Sequence, residues 1–260
     1  RPPHLGQRPR RRPDQRGRDL HNHVVRRQPT LNIYSLKAEV KVFACPNGTA
    51  GNLLTATRNL YDTSTSATPG TTGYVAPTKG NLVRTDAATS TSGATASAWK
   101  QGPTAGYDAL GRATTVTDNS TETPRTTTTT YAPATGLATT VTVTNHKNWV
   151  KTTTLDSMRG QTLTESDINQ NVTSSYRYDA SGRVTGEWGP LRPRATYSTP
   201  GVETSYSISQ TAPSWVKVTK LSSNEAPTSS YTLYDGLGRV RQTQRESPGL
   251  GTIATDVWYD

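Results

Sequence analysis

Tyr107-Asp-Ala-Leu-Gly-Arg112, Tyr178-Asp-Ala-Ser-Gly-Arg183 and Tyr234-Asp-Gly-Leu-Gly-Arg239 are three copies of one short motif. Two weaker copies lie between the first two. Tyr131-Ala-Pro-Ala-Thr-Gly136-Leu keeps the tyrosine and carries a glycine one place late; Leu155-Asp156-Ser-Met-Arg159-Gly160 keeps the aspartate, with Arg and Gly shifted and swapped. Starts fall 24 residues apart from 107 to 131, 24 from 131 to 155 and 23 from 155 to 178. A further start, Tyr259-Asp260, follows Tyr234 by 25. Between 178 and 234 the register is open, with Tyr197-Ser-Thr-Pro-Gly201 and Tyr206 both candidates. A near-constant period of this length marks tandem supersecondary units.

The motif has the chemistry of a chain reversal. Its tyrosine ends a strand with a large ring and a hydroxyl able to find a partner. Asp at the next place accepts backbone N–H bonds and starts a turn. Gly111, Gly182 and Gly238 supply a positive φ at little steric cost. Arg112, Arg183 and Arg239 then re-enter a strand, and each is expected to pair with an Asp of its own or an adjacent turn. Around the motif, Val141 and Val143 alternate with threonines, Val216 and Val218 alternate with Trp215, Lys217 and Thr219, and Tyr176 and Tyr178 flank Arg177. No stretch has helical apolar spacing. The reading is all-β: tandem antiparallel hairpins with two strands and two tight turns per period. Each hairpin is marginal alone and depends on lateral stacking.

Composition agrees. The hydrophobic fraction is 31%, with one Phe, one Met and one Cys, so a thick aliphatic core is not expected. Length and the motif divide the 260 residues into a basic tail (1–30), divergent repeats (31–106) and the clear repeats (107–260). Charge is uneven: residues 1–28 hold nine arginines against Asp14 and Asp19, whereas the remainder holds 20 bases and 17 acids. The net charge of +10 therefore belongs mostly to a Pro/Arg-rich tail, which is expected to be disordered, and it does not make the body a nucleic-acid binder. No apolar run approaches the length of a membrane span. The start at Arg1 and the stop at Asp260 read as a piece of something longer.

On the motif and its period, residues 107–260 resemble the YD-repeat (RHS-repeat) family: the tandem repeats of bacterial rearrangement-hotspot proteins, of the C component of insecticidal toxin complexes, and of teneurins. Asn59-Leu60-Tyr61-Asp62 and Tyr74-Val-Ala-Pro-Thr-Lys-Gly80-Asn-Leu82 are similar to degenerate repeat starts. The resemblance implies hairpins forming part of a curved, shell-like extended sheet that encloses or presents a C-terminal toxin or effector. It also implies that the main partner is the rest of the same polypeptide, and a bacterial, secreted or cell-surface setting. Self-cleaving aspartates of that family lie in a segment after the repeats, and nothing here matches that segment.

The residues carry no catalytic constellation. His21-Asn22-His23 lies in the tail without a third ligand, and His146 lies in Asn145-His146-Lys147-Asn148, which reads as a hairpin turn. Gly236-Leu237-Gly238 has Arg241 where a dinucleotide loop needs a third glycine. Cys45 reads as a small apolar filler. Asn47, Asn119 and Asn171 fit the N-glycosylation pattern, as chance allows in a chain so rich in Thr and Ser. No metal, cofactor or enzyme activity is expected. The motif residues Tyr107, Asp108, Gly111, Arg112, Tyr178, Asp179, Gly182, Arg183, Tyr234, Asp235, Gly238, Arg239, Tyr259 and Asp260 are structural. The competing function is an adhesion module that binds cell-wall polysaccharide through some of Trp99, Trp149, Trp188, Trp215 and Trp258.

Overall fold

The computed structural model describes residues 20–44, 51–68, 71–247, 249 and 251–259. The described residues form eighteen strands, one short 3-10 turn and no α-helix. They fall into two compact units divided after Thr126.

In the first unit β1 (Leu20–Gln28), β2 (Ile33–Phe43), β3 (Leu53–Tyr61) and β4 (Leu82–Ser92) pair antiparallel in chain order. The second half of β4 pairs with β5 (Thr95–Lys100), and its first half meets β6 (Thr104–Tyr107) at Arg84 and Thr104. Pro103 lies between β5 and β6 along that edge. Beside it, a Cβ on Gly102 would come within 2.2 Å of the Thr85 carbonyl oxygen, so only glycine fits the close approach. β7 (Ala113–Asp118) pairs with β6. Phe43, Leu53 and Ala56 form a buried cluster, with Ala88, Ala96 and Trp99 packed against them, and Ala38 and Leu60 are buried as well.

The second unit opens within β8 (Arg125–Ala132) and is a sequential meander. β9 (Thr140–Thr144), β10 (Val150–Leu155), β11 (Thr162–Ser166), β12 (Val172–Tyr178) and β13 (Val184–Trp188) follow. Then come β14 (Val202–Ser207), β15 (Ser214–Leu221), β16 (Pro227–Tyr234), β17 (Val240–Ser247) and β18 (Gly251–Asp256). Each pairs antiparallel with the next. Each unit is an open ladder: among the described residues β1 does not pair with β7, nor β8 with β18. The curl into a shell that the resemblance implied is absent from either unit.

Two expectations need revision. The tail was expected to lack structure through residue 30; residues 1–19 lie outside the described ones, but Leu20–Gln28 form β1 and Pro29–Leu31 the 3-10 turn. A ladder is made by backbone groups, so a segment poor in apolar side chains can still join one where a neighbouring strand offers its edge. The alternation of Val with Thr sorts the two types onto opposite faces only in part, across β8–β10, where Lys151 and Thr153 lie with the valines. There Tyr131, Val141 and Thr153 share one face, and Thr130, Thr142 and Thr152 the other. Further along, Trp188 and Arg177 lie on the threonine face beside Ser175 and Gly186.

Among the described residues of the second unit, Trp188, 2% exposed, is the one large apolar side chain that is fully buried. Residues 189–200 form the cover. The Trp188 indole N–H donates to the Tyr197 carbonyl at 2.8 Å, Arg194 stacks on the indole at 4.9 Å, and Arg177 lies 5.7 Å from its centroid. Arg192 lies over the Tyr197 ring at 4.3 Å and donates to the Thr199 carbonyl. Gly186 makes room, since a Cβ there would meet the indole at 3.0 Å.

Candidate functional site: the repeated corner

Each clear motif folds into the same three-residue loop. Asp108 N–H donates to the Arg112 carbonyl and Gly111 N–H to the Asp108 carbonyl; Asp179 with Gly182 and Arg183, and Asp235 with Gly238 and Arg239, repeat this pattern. Gly111, Gly182 and Gly238 have φ of 79, 82 and 75°. The strand register slips just before the tyrosine each time, at Gly106/Tyr107, Arg177/Tyr178 and Leu233/Tyr234. This is a type I turn closed by a left-handed residue, a loop whose twist suits a hairpin.

The aspartate is the hub of the corner. Asp179 Oδ1 accepts the N–H groups of Ser181 and Arg183, and its Oδ2 accepts Arg183 Nε at 2.7 Å. Asp108 and Asp235 make the same bonds, with Nε–Oδ2 distances of 2.7 and 2.8 Å. The Asp–Arg pair is therefore internal to each turn. These bonds hold the carboxyls below the ordinary aspartate range. For Asp179 and Asp235 the backbone N–H of the arginine is the leading cause, and partial desolvation opposes it. For Asp108 desolvation is the largest influence and acts upward, but the Arg112 N–H and guanidinium together outweigh it.

A depressed carboxyl stabilises the fold above its unfolded pKa of about 3.9, and this contribution disappears as pH falls through the lower folded value. The expected result is a urea midpoint that is flat from neutral pH to about pH 5 and drops below about pH 4. Asp179→Asn with Asp235→Asn should shallow that drop. An unchanged acid limb in the double variant would refute the assignment.

The motif tyrosines clamp one repeat to the one before. Tyr178 Oη donates to the Thr162 carbonyl at 2.7 Å, Tyr206 to Val184 at 3.0 Å and Tyr259 to Val240 at 2.9 Å. In the first unit Tyr107 donates to Leu82 at 2.6 Å and Tyr61 to Lys37 at 2.8 Å. The acceptor follows the corner-closing residue: Val184 follows Arg183, and Val240 follows Arg239. The arginine completes the joint by stacking on the next tyrosine, Arg183 over Tyr206 at 4.3 Å and Arg239 over Tyr259 at 4.4 Å. Among the described residues Tyr234 has no such hydroxyl bond; it opposes Ser214 on β15. Tyr206→Phe is expected to cost about 0.5–1.5 kcal/mol by urea denaturation, the net worth of one hydrogen bond. A cost near zero would mean that water replaces the clamp.

These contacts settle the open register. Tyr197 belongs to the cover of Trp188, and Tyr206 is the repeat tyrosine. They also merge two sequence features in the first unit. Asp62 Oδ2 accepts the N–H groups of Thr78, Lys79 and Gly80, its Oδ1 accepts that of Asn81, and Asp62 N–H donates to the Asn81 carbonyl. Tyr61-Asp62 and Lys79-Gly80-Asn81 are thus two halves of one corner, split by an insertion, rather than two repeat starts.

The weaker copy at 155 is a corner one residue longer. Asp156 N–H donates to the Gln161 carbonyl, Gly160 has φ of 66°, and Asp156 Oδ1 accepts Met158 and Arg159 N–H. Its Arg159 and Gln161 side chains reach the next corner, donating to the carbonyls of Ala180 and Gly182.

Turns on the opposite rim use the same loop with other residues. Asn145 Oδ1 accepts Lys147 and Trp149 N–H, and Asp167 Oδ1 accepts Asn169 and Asn171 N–H. Their left-handed positions hold Asn148 and Gln170, and the 222–226 turn has Glu225, at φ of 61, 63 and 63°. Gly182→Ala is expected to lose about 1–2 kcal/mol from the left-handed backbone alone. A Cβ there would also meet Gln161 Nε2 at 2.7 Å. Asn148→Gly, which gives up no side-chain hydrogen bond among the described residues, should shift the urea midpoint upward; opposite signs for the two variants are the check.

Asp260 and Cys45 lie outside the described residues. His146 is exposed in its turn. Of the tryptophans, Trp149 and Trp258 are 50% and 77% exposed, each with a cation over the ring, Lys147 at 5.1 Å and Arg241 at 3.9 Å. Trp99 packs on the first core under Arg58, and Trp215 makes an edge contact with Tyr231 at 5.7 Å. Among the described residues no cluster of three metal-ligating side chains exists.

Sequence reasoning missed Asp86, which is 0% exposed. Arg58 Nε donates to its Oδ2 at 2.9 Å and Arg84 Nε to its Oδ1 at 2.7 Å.

No protein-family model matches the chain, and no curated protein matches it. Among solved structures it is similar to a chain in the crystal structure of TcdB2-TccC3-Cdc42, at 12% identity and a TM-score of 0.39. The match covers 85% of this chain but 15% of that one, so the sequence spans a small part of that chain's length.

Proposed function

We propose that this chain is a non-catalytic segment of a YD/RHS-type repeat shell, secreted or carried on a bacterial surface, which encloses or presents an effector encoded elsewhere in the same polypeptide. The observation that carries this reading is the clamp. The hydroxyls of Tyr107, Tyr178, Tyr206 and Tyr259 bond to the preceding repeat, and each clear motif corner is closed by its own Asp and Arg, so successive units define their neighbours' position and need no thick core. Repetition of one residue set at every corner is what a wall requires, whereas an active site requires a constellation used once.

In the complete polypeptide, the segment following the repeats is expected to resist protease until the denaturant concentration at which the repeats unfold. Equal cleavage of that segment under native conditions would sink the reading. The alternative, glycan binding, draws on the exposed Trp149 and Trp258 alone. Retention on cell-wall polysaccharide, lost in the Trp149→Ala/Trp258→Ala variant without unfolding, would favour adhesion over enclosure.

A further inference from the structure

Gly236 occupies a place in its corner that does not need a glycine. Its φ lies outside the left-handed region, and a Cβ there would meet nothing within 4 Å. The sister corners hold Ala109 and Ala180 at this place and make the same hydrogen bonds. What the glycine changes is chemistry: Asp235-Gly236 is the chain's one Asp-Gly junction.

An amide nitrogen can attack the side-chain carboxyl carbon of the aspartate before it. The bond from Gly236 N to Asp235 Cγ forms, the Cγ–OH bond breaks, and the amide proton leaves with the hydroxyl as water. Water then opens the five-membered imide. Opening at the former backbone carbonyl leaves the chain running through Cγ, as isoaspartate. Water is the only co-reactant, and nothing is oxidised or reduced. A side chain on the attacking residue crowds the nitrogen, as alanine does in the sister corners. Gly236 has none; its N–H has no protein partner among the described residues, and Gly236 and Leu237 are both exposed.

The closed corner opposes the attack. Asp235 Oδ1 accepts the N–H groups of Leu237 and Arg239, and Oδ2 accepts Arg239 Nε at 2.8 Å. Three bonds fix the plane of the carboxyl and favour its ionised form, which has no hydroxyl to lose. Attack needs a neutral carboxyl that is free to turn, and local opening of the corner supplies both conditions together. The product cannot close in the same way. The chain is longer by one methylene, and the Asp235 carbonyl that receives the Gly238 N–H has become a carboxylate. Arg239 then loses the anchor that holds it over Tyr259.

We propose that Asp235-Gly236 is a site of isoaspartate formation gated by its own corner: protected while Arg239 holds the carboxyl, modified once the corner opens. The site is independent of the shell reading, and either can fail without the other.

The test is ageing of the chain in mildly acidic buffer, folded and in guanidinium chloride. Isoaspartate is quantified at each corner by peptide mapping and by labelling with an isoaspartyl methyltransferase. In denaturant it should accumulate at Asp235 and lag by about tenfold or more at Asp108 and Asp179. The folded chain should form it at Asp235 at least about tenfold more slowly than the denatured one, as a corner that opens rarely requires. Arg239→Ala, with far-UV circular dichroism unchanged, should raise the folded rate several-fold and leave the denatured rate alone. Gly236→Ala should suppress the product in both states. Equal rates at Asp235 in the folded and denatured parent would overturn the proposal on their own, whether or not Arg239→Ala folds. Equal accumulation at the three corners in denaturant would overturn it too, as would an unchanged rate in folded Arg239→Ala.

Discussion

Trp188→Ala is expected to destabilise the second unit by about 3–5 kcal/mol, the range for removing a large buried aromatic. The effect should be local before it is global. Trp188 is what residues 189–200 are folded onto: its N–H holds Tyr197, and Arg177 and Arg194 lie over its ring. Truncation removes the ring under both guanidiniums and opens a cavity beside Gly186. Hydrogen exchange should quicken first in 189–200 and in β13, and protease should cut within 189–200 at denaturant concentrations that leave the parent intact. Trp188→Phe, which keeps a ring but not the N–H, should recover most of the loss. Unchanged exchange in 189–200 after Trp188→Ala would mean that the segment is held by its own contacts.

Asp86→Ala should be the most damaging substitution in the first unit, at about 3–5 kcal/mol, because it leaves buried charge without its counter-charge. The lower end of that range is expected, since the Arg58 side chain is 32% exposed and keeps its stack on Trp99. Arg84, at 17%, bears most of the cost, with Nε and Nη2 both directed at Asp86. Replacing Arg84 with Met in the Asp86→Ala background should restore stability, because the orphaned charge is then gone. Thermal melts of the two single variants and the double variant measure this coupling. Additive losses would show that the carboxylate and the Arg84 guanidinium do not depend on each other.

The corners were legible in the sequence because their chemistry is local. Asp108, Gly111 and Arg112 lie within five residues, and a turn that needs a left-handed residue after an N–H acceptor announces itself in composition. Alternation was legible for the same reason. What could not be read is what depends on distant chain. Tyr206 and Tyr197 look alike in sequence; only the Val184 carbonyl and Arg183 distinguish them. The split corner at Asp62 was hidden because its closing half lies beyond an insertion. Asp86 sits in Arg84-Thr85-Asp86, which reads as an ordinary exposed strand end, and its burial follows from Arg58 on the neighbouring strand. The opposite-rim turns left one unused signal: an Asn, Asp or Ser followed three places later by Asn148, Gln170 or Glu225 at the left-handed position.

Both margins of the ribbon are built on one backbone rule, and each period contains an even number of strands. A tandem duplication of one period therefore returns the chain to the same margin with the same side outward. Such an array can be lengthened or shortened by whole units without redesigning a single joint. Sequence that does not fit the count, such as 189–200, is carried outside the weave and folded back onto it over Trp188.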